Sequence, residues 1–234
     1  MIVNNQTPIK VSRSKIDLFI ECPKCFYLDK VLGIKRPSGP SFSLNSAVDT
    51  LLKNEFDILR KKEKSHALMK KYKIDAIPFS HPDLDKWREN FVGIQYLHPS
   101  GLLITGAIDD IWINPKKELH IVDYKSTSTA KEISLEDEYK QSYKRQMEIY
   151  QWLFKKNGFK VSDIGYFVFA NATKLRAEFD AKLEFDMSII DYKGNTDWVE
   201  GKIMEIAKCL KLRKAPKPAV DCKFCGYVEE RRGE

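Results

Sequence analysis

The chain carries two hydrophobic rhythms, one with a period near 3.6 and one with a period of two, and their order sketches its elements. Apolar residues at Ala47, Val48, Leu51, Leu52, Phe56 and Leu59 predict a helix over 44–64. A longer amphipathic helix is predicted over 136–156, with Tyr139, Tyr143, Met147, Tyr150, Leu153 and Phe154 along one side and Gly158 as its stop. A last helix is expected over 198–212, and shorter ones over 66–73 and 83–91, with Ile77-Pro78-Phe79 as a connector. Near the start, Ser12 or Ser14 can cap a helix bearing Ile16, Leu18 and Phe19. Pro23 then bends the chain before Phe26-Tyr27-Leu28 resumes as a second helical piece.

The period of two predicts strands over 102–113 and 118–125, joined as a hairpin through Asn114-Pro115-Lys116-Lys117. The uninterrupted apolar run 164–169 fits a buried central strand, and 175–190 alternates as a half-exposed one. Loops are expected at Arg36-Pro37-Ser38-Gly39-Pro40 and at 126–129, and an extended linker at Ala215-Pro216-Lys217-Pro218. No internal repeat is present. Helix, strand, strand, helix, strand, with further helices outside, is an α/β arrangement.

Composition narrows this without deciding it. With 234 residues, 43% hydrophobic and 31% charged, the chain can bury a proper core and is not a disordered tail. No stretch reaches the roughly 20 apolar residues that cross a bilayer, and the first residues lack a signal-peptide pattern. A cytoplasmic protein with no membrane partner is therefore expected. The net charge of +7 favours an anionic partner, nucleic acid being the commonest.

Charge at the ends of apolar strands is the first sign of chemistry. Asp109 follows Thr105-Gly106-Ala107-Ile108, and Asp123 and Lys125 close Leu119-His120-Ile121-Val122. Side chains two apart on a strand share a face, so Asp123 and Lys125 project together, and strand pairing brings Asp109 beside them. Two carboxylates with the intervening carbonyl of Tyr124 suit Mg²⁺ or Mn²⁺. The ammonium of Lys125 suits the charge of a phosphate or an attacking water. A plain surface ion pair between Asp123 and Lys125 is the alternative. None of the four histidines, His66, His81, His98 and His120, sits where a general base is required.

These residues resemble the PD-(D/E)XK nucleases, and especially the RecB-like branch. Its Gly-x-x-Asp, Asp-x-Lys and Gln-x-x-x-Tyr motifs stand here as Gly106 to Asp109, Asp123-Tyr124-Lys125 and Gln146 to Tyr150. The resemblance covers roughly 12–227. It implies a restriction-endonuclease-like core, a mixed central sheet flanked by helices, over about 44–190. It also implies a DNA nuclease of repair, recombination or CRISPR-type processing, with a helicase or another DNA-processing protein as partner. By the resemblance Asp109 and Asp123 hold metal, Lys125 is catalytic, and Gln146 with Tyr150 contacts or positions the DNA backbone. The branch usually has a histidine ligand on the preceding helix in Gly-x-x-x-His. Here Asn45-Ser46-Ala47-Val48-Asp49 stands there, leaving Asp49 as a third carboxylate ligand or as an ordinary helix position.

Four of five cysteines form two C-x-x-C pairs, Cys22/Cys25 and Cys222/Cys225, while Cys209 lies within a helical pattern. Four thiolates can hold a tetrahedral Zn²⁺ or a four-iron, four-sulfur (4Fe–4S) cluster. A shared metal would fasten an appendage built from 12–36 and 195–227, all within a single 1–234 domain. The resemblance points to iron–sulfur, since Cys22-Pro23 looks like the early cysteine of such nucleases. Two-plus-two pairing is equally the zinc spacing. Basic loops at Lys35-Arg36 and Lys116-Lys117 are candidate phosphate contacts. The reading is a metal-dependent DNA nuclease. Its rival is a catalytically silent nucleic-acid-binding or scaffold module that keeps the fold.

Overall fold

A strand buried on both faces needs packing partners on both faces, and this holds for two neighbouring strands of the main sheet. In the computed structural model, which describes residues 7–39, 43–137 and 140–232, they are β6 (Leu119–Thr127) and β7 (Ile164–Ala172). They run parallel at the centre of a mixed five-stranded sheet of order β2-β5-β6-β7-β8. The outer strands, β2 (Ile77–Pro78), β5 (Asp110–Ile113) and β8 (Phe185–Lys193), are antiparallel to their neighbours. Parallel neighbours need a long crossover, and the chain between β6 and β7 contains helix α6 (Gln141–Lys156).

Helix α3 (Ser43–Lys61) covers one face of the sheet. Leu52 and Phe56 pack with Trp112, Val122, Tyr124 and Val168, and the rings of Phe56 and Trp112 stack at 5.4 Å. Helix α6 covers the other face, where Gln146 reaches Asp123. Consecutive residues of β6 thus serve opposite faces, which the period of two requires. Short helices α4 (Ala67–Lys71) and α5 (Leu84–Arg88) complete this part.

The described residues divide into two compact units: 43–94, 106–137 and 140–196 form the one just described, and 7–39, 95–105 and 197–232 form the other. The second has a three-stranded sheet of order β1-β4-β3, built from β1 (Ile9–Ser12), β3 (Ile94–Leu97) and β4 (Leu102–Gly106). Its helices are α1 (Arg13–Glu21), α2 (Pro23–Lys30), α7 (Asp197–Cys209) and α8 (Lys223–Arg232). Pro23 starts α2 at a position where no amide donor is needed.

Several expectations are corrected. The run 102–113 is two strands in two different sheets, because the chain leaves β4 at Gly106 and re-enters pairing at Asp110. The alternating run 175–190 is a strand only from Phe185, and 175–184 is irregular, with positive φ at Asp180 and Ala181. Strand β6 continues to Thr127, into the stretch expected as loop. Helix α6 starts at Gln141 rather than 136, and it is buried almost all round from Gln146 to Phe154 instead of along one side. Leu51 on α3 is exposed, helix α7 stops at Cys209, and strand β3 and helix α8 had no strong local signal. Residues 1–6, Pro40 of the expected loop and Tyr139 of the expected helix face lie outside the described residues. No described helix is long and apolar enough to cross a membrane.

The break after β4 depends on a close approach of backbone to backbone. Gly93 has φ +63°, and a Cβ there would lie 2.3 Å from the carbonyl oxygen of Gly106. Gly93→Ala should therefore destabilise the fold by about 2–4 kcal/mol, read as a lower midpoint in urea denaturation.

Candidate active site and thiolate centre

Asp123 is fully enclosed, with no exposed surface. Its position on β6 turns it toward α6, where the Gln146 amide donates to Oδ1 at 2.7 Å. Two residues on, the Lys125 ammonium lies 2.5 Å from Oδ2, so the shared face expected from the spacing is present. Lys125 also meets Gln146 Oε1 at 3.5 Å and sits over the Tyr143 ring at 4.4 Å. Burial works to depress its pKa, but the charges of Asp123 and then Asp109 outweigh burial and hold it above the usual lysine value. Lys125 is therefore a fixed cation.

Gln146 and Tyr150 are one helical turn apart, and the Gln146 amide meets Tyr150 Oη at 3.3 Å. Tyr150 is buried because Gly106 makes room for it: a Cβ on Gly106 would fall 2.6 Å from the ring. The glycine of the Gly-x-x-Asp stretch is thus needed for the approach of the tyrosine of Gln-x-x-x-Tyr.

Asp109 lies in the gap between β4 and β5. The Tyr124 amide donates to its Oδ2 at 2.9 Å, and Lys53 lies 3.5 Å from its Oδ1. Lys53 also pairs with Asp49 at 2.7 Å, one turn earlier on α3. Burial raises the Asp49 pKa and the nearby charge of Asp109 adds to it, while Lys53 opposes both. Asp49, Asp109 and Asp123 are not gathered as one ligand set: among the described residues, only the four cysteines bring three or more ligand atoms within 4.8 Å of one another. Beyond Lys125 opens a polar cavity of about 140 Å³ lined by Thr127, Thr129, Lys131, Lys140 and Tyr143.

Beneath Asp109 lies a charge cluster that the sequence reading did not assemble. Asp110 is fully buried and accepts from Arg60, from Arg88 Nη2 at 2.9 Å and from the Tyr124 hydroxyl at 2.7 Å. Arg88 also donates to the Asp109 carbonyl at 2.9 Å and to Asp57 at 2.8 Å, which fixes the Asp109 loop from below. Burial and then the Asp110 charge push the Tyr124 hydroxyl well above its usual range, so it stays a donor. Arg60 belongs to the charge run 60–64, expected as a solvated helix end, yet it is only 7% exposed. The signal was in the spacing: Leu52, Phe56 and Arg60 follow at intervals of four, as do Asp49, Lys53 and Asp57.

The thiolate centre repeats one local structure twice. Cys22 precedes α2 and Cys25 lies in its first turn, while Cys222 precedes α8 and Cys225 lies in its first turn. The amides of Phe26 and Gly226 donate to the carbonyls of Cys22 and Cys222 at 3.1 and 2.9 Å. Helix N-termini favour thiolates. Sulfur separations are 3.6 Å for Cys25–Cys222, 3.7 Å for Cys25–Cys225 and 3.9 Å for Cys22–Cys225. Burial opposes ionisation of Cys22, but the amides of Cys25 and Ala219 and the neighbouring thiols bring its pKa down to about 7. Arg36, from the expected phosphate-binding loop, is instead paired with Glu21 at 2.6 Å and directed at the Cys222 sulfur at 3.7 Å. Four cysteines from the two ends of the sequence form a group able to bind a metal.

The profile of the PD-(D/E)XK nuclease superfamily matches residues 44–229, most of the chain. The chain belongs to this superfamily. Members of the PD-(D/E)XK superfamily are typically nucleases, which suggests metal-dependent nuclease activity here. No curated protein matches the chain. A solved structure entitled "Crystal structure of SSO0001" is 17% identical over 97% of this chain and 86% of that one, with a TM-score of 0.46.

Removing Arg88 leaves the fully buried Asp110 and the half-buried Asp57 short of a cation. Arg88→Ala should cost about 3 kcal/mol in urea denaturation, with Arg88→Lys recovering only part because lysine lacks the fork.

Proposed function

We propose that this PD-(D/E)XK protein is a Mg²⁺- or Mn²⁺-dependent deoxyribonuclease of the RecB-like branch, acting in DNA repair, recombination or CRISPR-type processing. The carrying observation is the triplet of buried Asp123 and Gln146 with half-buried Lys125. A carboxylate with no exposed surface is costly to bury, and here a lysine and a glutamine are spent orienting it rather than an apolar residue replacing it.

The donor set fits a hard divalent ion: Asp109 and Asp123 supply carboxylate oxygens, and the Tyr124 carbonyl is a further candidate. When bound, such an ion supplies Lewis acidity and a more acidic water. Lys125, held protonated, places a positive charge where a phosphate gains negative charge. Gln146 orients Asp123, and Tyr150 supports Gln146 from behind. Asp49 stands by, occupied with Lys53. The net charge of +7 suits a DNA partner.

A catalytically silent module is the second reading, and one observation favours it. The Lys53 ammonium already partners Asp109 and Asp49, and Asp49 stands where the branch has a histidine ligand. Cleavage of linear single- and double-stranded DNA with Mg²⁺ or Mn²⁺ separates the two. Asp123→Asn and Lys125→Ala should each lower the rate at least about 100-fold, and Gln146→Ala about 10-fold, with circular dichroism unchanged. Wild-type rates in both Asp123→Asn and Lys125→Ala would sink the assignment.

For the thiolate centre, the sulfur spacing supports one tetrahedral Zn²⁺. A zinc–sulfur bond of about 2.3 Å gives a tetrahedron edge of about 3.8 Å; three of the six sulfur separations here are 3.6–3.9 Å, and all four sulfurs lie within 4.8 Å of one another. A cubane puts a separate iron behind each thiolate and so needs the sulfurs farther apart. Protein purified without oxygen should contain one zinc per chain and lack absorbance near ~400 nm. Stripping the metal should lower the melting temperature. Brown, iron-containing protein would show the zinc assignment to be mistaken.

A further inference from the structure

Beside the thiolate centre, within the unit that contains it, a groove of about 580 Å³ opens between α2, the segment 34–37 and α8. Its apolar surface includes Leu28 and Ile34. The side chains that give it a chemical character are two aromatics on α8, Phe224 and Tyr227, 44% and 65% exposed, and four cations, Lys24, Lys35, Arg36 and Lys223. No carboxylate is among the lining residues.

We infer that this groove binds single-stranded nucleic acid, with bases stacked on Phe224 and Tyr227 and phosphates met by the surrounding lysines. This deepens the nuclease reading and rests on it. Phe224 and Tyr227 are three apart on one helix, so their rings are neighbours on one face. With Ile34 and Val228, which are also exposed in the same groove, the two rings form a contiguous apolar patch, and such patches mark interaction sites. Arg36 lies over the Phe224 ring at 4.5 Å and is itself held by Glu21, so that ring is braced and little freedom is lost when a base settles on it. Aromatic faces flanked by separated cations are the format of strand binding without sequence readout. A duplex keeps its base faces covered and can use only the cations. Two of the four cations are shared with carboxylates, Arg36 with Glu21 and Lys24 with Glu229 at 3.9 Å, which leaves Lys35 and Lys223 beside the aromatic pair to draw a polyanion rather than a purely apolar protein surface.

The groove also gives the metal centre a purpose beyond stability. Lys24 and Lys223 each sit next to a metal-site cysteine, at the starts of α2 and α8. Fastening the two helix starts to one ion therefore sets the two sides of the groove.

The test is binding of a fluorescein-labelled, mixed-sequence single-stranded DNA oligonucleotide, by anisotropy, with no divalent metal added. Tyr227→Ala should weaken binding about 5- to 100-fold while leaving the melting temperature, the zinc content and the salt dependence in place. Lys35→Gln should lower the slope of log affinity against log salt by about 0.7. Affinity for a duplex of the same length should change little in Tyr227→Ala. Wild-type binding in both variants overturns the proposal and leaves the groove to a protein. Cleavage assayed in parallel separates the two readings. If the wild type does not cleave yet Tyr227→Ala loses single-strand binding, the groove stands and the catalytic assignment falls; cleavage with both variants binding normally sinks the groove alone.

Discussion

Asp110 has no contact with solvent, and most of the candidate active site follows from how that charge is satisfied. Two arginines, the Tyr124 hydroxyl and the following amide supply its hydrogen bonds. Each donor comes from a different element: Arg60 from α3, Arg88 from α5 and Tyr124 from β6. A buried carboxylate is weak evidence for stability, because desolvation offsets most of what its partners return. Its effect here is geometric. Arg88 reaches through this cluster to the Asp109 carbonyl, and Tyr124 presents its amide to the Asp109 carboxylate. The loop that interrupts two strands is thereby held from both ends of one residue.

The upper layer is built on the same logic with fewer charges. Asp123 and Lys125 neutralise one another under cover of α6, and Gln146 fills the remaining acceptor position. Gly106 lets Tyr150 come close enough to brace Gln146, and Gly93 lets the chain turn against Gly106. Substitutions at either glycine act on the carboxylates without touching them. The lysine pair, Lys53 and Lys125, compensates part of the acidic charge that a divalent ion would otherwise meet.

The thiolate centre solves a separate problem in the other unit. Two short helices meet there, α2 of eight residues and α8 of ten, and α8 buries only Cys225. Each begins on the same cysteine-bearing turn, and the four sulfurs converge. Arg36 ties the following loop to that centre and to the ring of Phe224.

What the sequence determined by itself was local: the shared face of Asp123 and Lys125, the turn that pairs Gln146 with Tyr150, and two C-x-x-C turns, whereas Asp123 is not a strand end but lies within β6, and Asp109 sits in the gap before β5. These follow from periods of two and 3.6, which any short stretch displays. The split of 102–113 into two sheets was not legible, because a β-rich run looks the same whether its halves pair with one partner or two. Helix α6 read as one-sided because Gln146, Glu148 and Gln151 are polar; their partners, at Asp123, Tyr192 and the carbonyl of Asp163, are far along the chain. Arg60 read as solvated for the same reason: its partner Asp110 is fifty residues away. Only tertiary packing decides which buried charges find a countercharge, and only it sets the sulfur spacing that bears on the metal. Burial of a polar group is set by what lies across from it, and that is information no local pattern holds.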